Sequence, residues 1–246
     1  MTGNGYGNLN EEDILSFLLI GQSNMAGRGY MNEVEPIVNE RCLMERNGRW
    51  QLMSEPINPD RPIFYGAYRS GIGLAASFAD ALSRRIRPRV GLIPCADGGT
   101  ALYQWMPGEV LFDNCVMKTR LAMRSSTFGG ILWHQGENDV GHDDRVEKHK
   151  EMLVTFITSL RKELNAESLP FLIGELHTYE SDDAKSRENT AKLNEEFREI
   201  AKTLPYCGFV SEAGLTIQSD GIHFDAKSYR EFGLRYFEEY ARIAGL

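Results

Sequence analysis

No apolar run in this sequence approaches the roughly 18 residues that a membrane-spanning helix requires. A basic surplus is also missing. Lysine and arginine number 27 against 35 aspartates and glutamates, for a net charge of -8. No basic block or basic helix face stands out, so nucleic acid is not an expected partner. The first residues, MTGNGYGNLNEED, carry neither a positive start nor an apolar signal core. The chain as given is therefore expected to be cytoplasmic, and secreted if a leader has been removed.

Cysteine is sparse and scattered. Cys42, Cys95, Cys115 and Cys207 form no Cys-x-x-Cys pair and no disulfide-dense pattern, so buried, reduced thiols are expected. His134, His142, His149, His177 and His223 contain neither His-x-x-x-His nor His-Glu-x-x-His, so no metal site is expected. Gly21, Gly27 and Gly29 close and follow an apolar run without the Gly-x-Gly-x-x-Gly spacing, and no lysine follows, so a phosphate-cradling loop is not expected. No organic cofactor is expected either.

What is present is a rhythm. The apolar runs ILSFLLIG (14–21), RVGLIPCA (89–96), GGILWHQG (129–136) and LPFLIGEL (169–176) do not alternate with polar residues. Such runs suit strands covered on both faces, as in parallel sheets. Between them lie stripes at helical spacing: Ile72–Ile86, Val146–Leu164, Leu193–Leu204 and Tyr229–Ile243, with a weaker helix over 109–124. Asp143 and Asp144 are candidate N-caps for the second stripe, and Asp225 for the last. His142 and His149 are expected at or on a solvated helix, and His134 as a hydrogen-bonded strand residue. The segment 32–70 is loop-rich. Within it CLMER and RWQLM flank Asn47-Gly48, a hairpin signal whose first arm can double as a sheet strand. Residues 1–246 read as one α/β domain with helices on both faces of a parallel sheet.

Ligands of such sheets bind beyond the carboxyl ends of the strands. Gly21-Gln22-Ser23-Asn24-Met25 follows the first run, Asp97-Gly98-Gly99-Thr100 the second, and Gln135-Gly136-Glu137-Asn138-Asp139 the third. Near the C-terminus stands Ser219-Asp220-Gly221-Ile222-His223-Phe224-Asp225. A serine is a poor nucleophile without a base, and the base needs an orienting partner. His223 supplies a base, with Asp220 three residues earlier to fix its tautomer. Gly98, Gly99, Gln135 and Asn138 are candidate donors to an oxyanion. Glu137 is expected to be held near the site by backbone donors. Glu137 with Asp139 could suggest two-carboxylate glycoside hydrolysis, which the serine blocks disfavour. Trp105, Tyr65, Tyr68 and Arg69 are candidates for lining a sugar cleft, with ordinary packing the equal alternative.

GQSNMAGRG, GGTALYQW, WHQGEND and DGIHFD, in this order, resemble the serine, glycine, asparagine and Asp-x-x-His blocks of the SGNH hydrolase superfamily. They are most similar to its carbohydrate acetylesterase branch, which includes acetylxylan esterases (carbohydrate esterase family six) and sialate O-acetylesterase-like proteins. The resemblance runs from about residue 14 to about 240. It implies a flavodoxin-like three-layer α/β/α sandwich with about five parallel strands. It implies Ser23 as nucleophile, His223 as base and Asp220 as its partner. It also implies an oxyanion hole from the Ser23 N–H, a glycine N–H of the 98–99 pair, and a side-chain amide. Gln135 and Asn138 both contend for that amide, with Gln135 favoured because the surrounding residues follow the acetylesterase branch. The implied partner is an acetylated carbohydrate. Two alternatives stay open: an SGNH lipase or thioesterase acting on other acyl esters, and an inactive carbohydrate-binding relative. Neither the particular sugar nor the oligomeric state is readable.

Overall fold

The computed structural model describes residues 7–59, 69–179 and 183–246. Among these described residues seven strands form one sheet: β1 (Ile14–Gly21), β2 (Cys42–Arg46), β3 (Arg49–Leu52), β4 (Arg89–Pro94), β5 (Thr127–His134), β6 (Phe171–Gly174) and β7 (Cys207–Val210), in the order β3-β2-β4-β1-β5-β6-β7. Every pairing is parallel except β2–β3, the hairpin turning at Asn47-Gly48. The two strands beyond the five expected are β3, which returns along the sheet edge, and β7. The latter reads CGFV, too short and glycine-interrupted to stand out as an apolar run.

The helices are α1 (Ser23–Ala26), α2 (Ala75–Ser83), α3 (Val110–Ala122), α4 (Asp143–Leu164), α5 (Ala184–Thr203) and α6 (Ala226–Ala244). They cover both faces of the sheet. Side chains alternate across a strand, so Phe17 and Leu19 of β1 join the core beneath α2 and α6, while Leu18 and Ile20 join the one beneath α3, α4 and α5. This explains why the β1 run is apolar throughout. Tyr229, Phe232, Tyr236 and Tyr240 of α6 are fully buried, and two of these tyrosines spend their hydroxyls on the sheet's functional end. Tyr236 donates to the Trp133 carbonyl at 2.8 Å and Tyr229 to Asn24 Oδ1 at 2.6 Å.

Asp225 caps α6 by accepting from the Ser228 N–H at 2.7 Å, as its position predicts. At α4 the expectation is corrected. His142 occupies the cap position without a side-chain bond, and Asp143 and Asp144 lie in the first turn, where their charge complements the helix dipole. All four cysteines are free and buried. Among the described residues no helix is long and apolar enough to cross a membrane.

Because β4, β1 and β5 run parallel and adjacent, their carboxyl ends share one rim. Gly21 closes β1 against β5: its φ is +130°, and a Cβ there would fall 2.0 Å from the His134 carbonyl oxygen. Only glycine fits that approach. The Gln22 N–H then bonds the His134 carbonyl (2.9 Å), and the Asp97 N–H bonds the Gly21 carbonyl (2.9 Å). Three loops are thereby laced together at the residue before Ser23.

Candidate active site

Ser23 opens the single-turn α1, directly beyond this lacing. As a first-turn residue its N–H has no acceptor within the helix. Ser23, Gly98, Gly99, Asn138 and His223 line one cavity of about 260 Å³, together with Gln22, Arg28, Glu137 and Ile222. Pieces of chain some 200 positions apart are thus brought to one pocket by the strand order.

His223 is oriented by its own loop. Its Nδ1 lies 2.7 Å from Asp220 Oδ2, and Asp220 Oδ1 accepts from the backbone N–H groups of Ile222 (2.9 Å) and His223 (3.0 Å). Gln218 Nε2 donates to Asp220 Oδ2 at 2.9 Å. Partial burial opposes the charge on Asp220, but the His223 ring and the two N–H bonds outweigh it and hold this carboxyl below the usual aspartate range. An ionised Asp220 accepts a hydrogen bond from Nδ1–H, which leaves Nε2 as the acceptor. The same ring therefore offers the lone pair that a serine hydroxyl requires.

The two amides that sequence reasoning could not separate sit differently. Gln135 is fully buried and absent from the cavity lining. Both of its N–H groups are engaged, by Asp139 Oδ2 (2.6 Å) and the Thr100 carbonyl (3.0 Å). Asn138 lines the cavity. Its side chain donates once, to the Gly99 carbonyl at 2.8 Å, which leaves its second N–H for a ligand. The Gln135 amide thus braces the loop from behind the cavity, and the Asn138 amide stands at it.

Glu137 is held chiefly by side chains, with its own backbone N–H as a smaller contribution of the kind expected. Its Oε1 accepts from Asn24 Nδ2 (2.7 Å) and faces His134 Nε2 (3.1 Å). The Gln22 amide is best satisfied with its nitrogen toward Glu137 Oε2 (3.3 Å) and the Thr100 carbonyl (3.1 Å). Burial opposes the Glu137 charge. His134 and the bonds from His134 and Asn24 prevail, so the carboxyl stays below the usual glutamate range. Asp139 behaves oppositely: its burial outweighs the bonds from Gln135 and the Leu102 N–H and lifts its pKa.

Arg28, which sequence reasoning passed over, stands on the cavity wall. A Cβ at Gly98 would fall 2.6 Å from Arg28 Nη2, so the glycine makes room for the guanidinium. The signal was its place in GQSNMAGRG, but the direction of a long side chain is not written in a motif. Trp105, a cleft candidate, is core instead: it is fully buried, donates to Thr100 Oγ1 (3.0 Å) and packs edge-on against Trp133. Arg69 is exposed and lies outside the cavity lining, and Tyr65 and Tyr68 lie outside the described residues.

A serine on a helix turn, an imidazole held by a carboxylate and an amide with a spare N–H around a small cavity suit acyl transfer. Comparison with known proteins points the same way. A probable carbohydrate esterase of Arabidopsis thaliana is 29% identical over 243 residues, covering 91% of this chain and 89% of the relative. The X-ray structure of an Arabidopsis thaliana protein superposes with a TM-score of 0.83 at 27% identity, covering 94% of this chain and 98% of the other. NanS shares the fold, with a TM-score of 0.73 at 16% identity over 95% of this chain and 98% of its own. The family model described as carbohydrate esterase, sialic acid-specific acetylesterase, matches residues 13–242. A carboxylic ester hydrolase acting on carbohydrate acetyl groups, the chain belongs to that family of carbohydrate esterases.

Proposed function

We propose that this chain, acting as one catalytic domain, removes O-acetyl groups from sugars through Ser23, His223 and Asp220 by way of an acetyl-enzyme. Ser23 Oγ attacks the acetyl carbonyl carbon while its proton passes to His223 Nε2. Asp220, bonded at Nδ1, stabilises the imidazolium that forms. Negative charge collects on the former carbonyl oxygen, where the N–H groups of Ser23, of a glycine in the 98–99 pair, and of Asn138 receive it. Collapse of the tetrahedral species breaks the bond to the sugar oxygen, and His223 returns the proton to the leaving alkoxide. Water then attacks the acetyl-enzyme with His223 again as base, releasing acetate and restoring Ser23.

The observation that carries this reading is the imidazole fixed to Asp220 at 2.7 Å on the wall of the cavity that also holds Ser23. A cavity of about 260 Å³ suits a short acyl group better than a long chain. The test is acetate release from partly acetylated xylo-oligosaccharides and from O-acetyl sialic acid, alongside turnover of p-nitrophenyl acetate, by wild type and Ser23→Ala. A fall in turnover of about 10⁴-fold or more is expected in Ser23→Ala, and an equal rate in the variant overturns the proposal. The guanidinium of Arg28 on the cavity wall favours a second, narrower reading in which the acetylated sugar carries a carboxylate. In that case Arg28→Gln raises KM for O-acetyl sialic acid more than for a neutral acetylated glycoside.

A further inference from the structure

A second cavity, of about 350 Å³, opens on the same rim between the turn at Leu102–Trp105 and the first turns of α4. It is lined by Tyr103, Asp139, Asp144, Arg145, Lys148 and His149, among others. His149 is the unusual member. It is 1% exposed, and neither ring nitrogen has a hydrogen-bond partner. His134, His177 and His223 each set a ring nitrogen against a carboxylate. Burying a polar atom without a partner costs about 1–3 kcal/mol, so such a group calls for an explanation. A phenylalanine would pack against Phe197, 5.6 Å from the His149 ring, without that cost.

We propose that this cavity is a sugar subsite, which holds a neutral sugar unit next to the acetylated one, with His149 reading its hydroxyl groups and Tyr103 forming its platform. The inference rests on the esterase reading for the first cavity. The two cavities share a wall. Asn138 lines the first and Asp139 the second, and the Asn138 carbonyl accepts from Arg145 Nη1 at 3.0 Å. A substrate leaving the first cavity past Asn138 therefore meets the second.

The chemistry of the lining selects the ligand. Burial pushes the His149 pKa down to about 3, so the ring is neutral at ordinary pH. A neutral imidazole presents one donor and one acceptor, the complement of a hydroxyl, which is itself both. An anion would gain no charge from a ring that burial keeps neutral. Asp144 and Lys148, one helical turn apart on α4, add an acceptor and a donor at the mouth. Tyr103 is half exposed, with the Arg145 guanidinium 5.4 Å from its ring centroid. One face is braced by the cation, and an aromatic face packs well against a sugar ring.

The experiment compares kcat/KM for partly acetylated xylo-oligosaccharides with that for acetylated methyl xyloside. It also compares O-acetylated sialyl-trisaccharide with free O-acetyl sialic acid. Wild type is expected to favour the longer member of at least one pair about tenfold. Tyr103→Ala and His149→Phe are expected to cut that ratio to about threefold or less. His149→Phe keeps the ring's shape, so a merely packed histidine would leave the ratio unmoved. Equal values for long and short substrates in wild type overturn the subsite, as does a ratio that both variants preserve. If Ser23→Ala keeps wild-type turnover, it is the esterase reading that fails. The cavity is then probed with unacetylated xylotetraose and sialyllactose by ¹⁵N NMR. Amide shifts at Tyr103 and His149 support the subsite, and their absence overturns it.

Discussion

The two halves of the candidate site are held in opposite ways. The half bearing Ser23 is built into the core. Gly21 is pressed against His134, and Asn24 is tied to Glu137 on one side and to Tyr229 of α6 on the other. The half bearing His223 is a surface loop that organises itself: Asp220 accepts from Ile222 and His223, and the Gln218 N–H bonds the His223 carbonyl at 2.8 Å. Chemistry that depends on the first half is thereby coupled to folding, whereas chemistry that depends on the second is nearly independent of it.

The largest expected effect breaks the comparison at both ends. Ser23→Ala and His223→Ala should each lower kcat on an acetyl ester by about 10⁴-fold or more. Removal of His223 from its loop should leave stability within about 0.5 kcal/mol, as for surface substitutions generally. Thermal melts beside the rate assay check this. A large fall in Tm for His223→Ala would mean that the base loop is not self-contained. Next comes the amide contrast. Asn138→Ala should reduce kcat by about 10²–10³-fold with little change in KM, the usual loss for one oxyanion donor. Gln135→Ala should instead act mainly on stability, because it frees the Asp139 carboxylate inside the protein. If Gln135→Ala retains full stability and loses more activity than Asn138→Ala, the assignment of the two amides is inverted.

Glu137 tests the core-anchored half through pH. Its folded pKa is depressed, so it contributes stability that is complete above the ordinary glutamate value of 4.5 and is lost as pH falls through its lower folded value. Glu137→Gln should cost about 1–3 kcal/mol at neutral pH, a Tm decrease of roughly 2–12 °C. The gap to wild type should narrow as the pH falls below that value. Asp220 has a shift of the same sign, but its loop is exposed, and Asp220→Asn should change the pH dependence of stability far less. Melting curves across that range decide the matter, and a constant gap for Glu137→Gln would show that its charge is not what the neighbouring donors stabilise.

Much of this arrangement was legible because the chemistry is local in sequence. Ser23 stands two residues beyond an apolar run, and Asp220 lies three residues before His223. What was missed depends on packing. In β7 only four residues join the sheet, and one of them is glycine. Gln135 and Asn138 differ in which amide has a spare N–H, a question of neighbours rather than of letters. His149 is the instructive error. Charged residues around it, in DDRVEKHK, suggested a solvated position. Yet it shares the helical phase of Val146, Leu153, Phe156 and Leu160, all buried, and that spacing alone placed it inside.

The smallest expected effect sharpens the comparison where the halves meet. The Gln218 amide donates to Asp220 Oδ2 at 2.9 Å and to the Arg28 carbonyl at 3.2 Å, so it spans from the base loop to the chain that follows Ser23. Gln218→Ala removes both bonds while Asp220 keeps its contacts with Ile222 and His223. Stability should fall by about 1 kcal/mol, the usual net worth of a hydrogen bond of this kind. If the base loop holds its shape alone and only its docking is loosened, kcat should fall by about tenfold, because small misplacements of a base are costly in rate. The pH at which activity is half-maximal should not move, since the Asp220–His223 pair is intact. A shifted pH profile would instead mean that Gln218 helps set the charge on Asp220, and that the loop draws its orientation from the core after all.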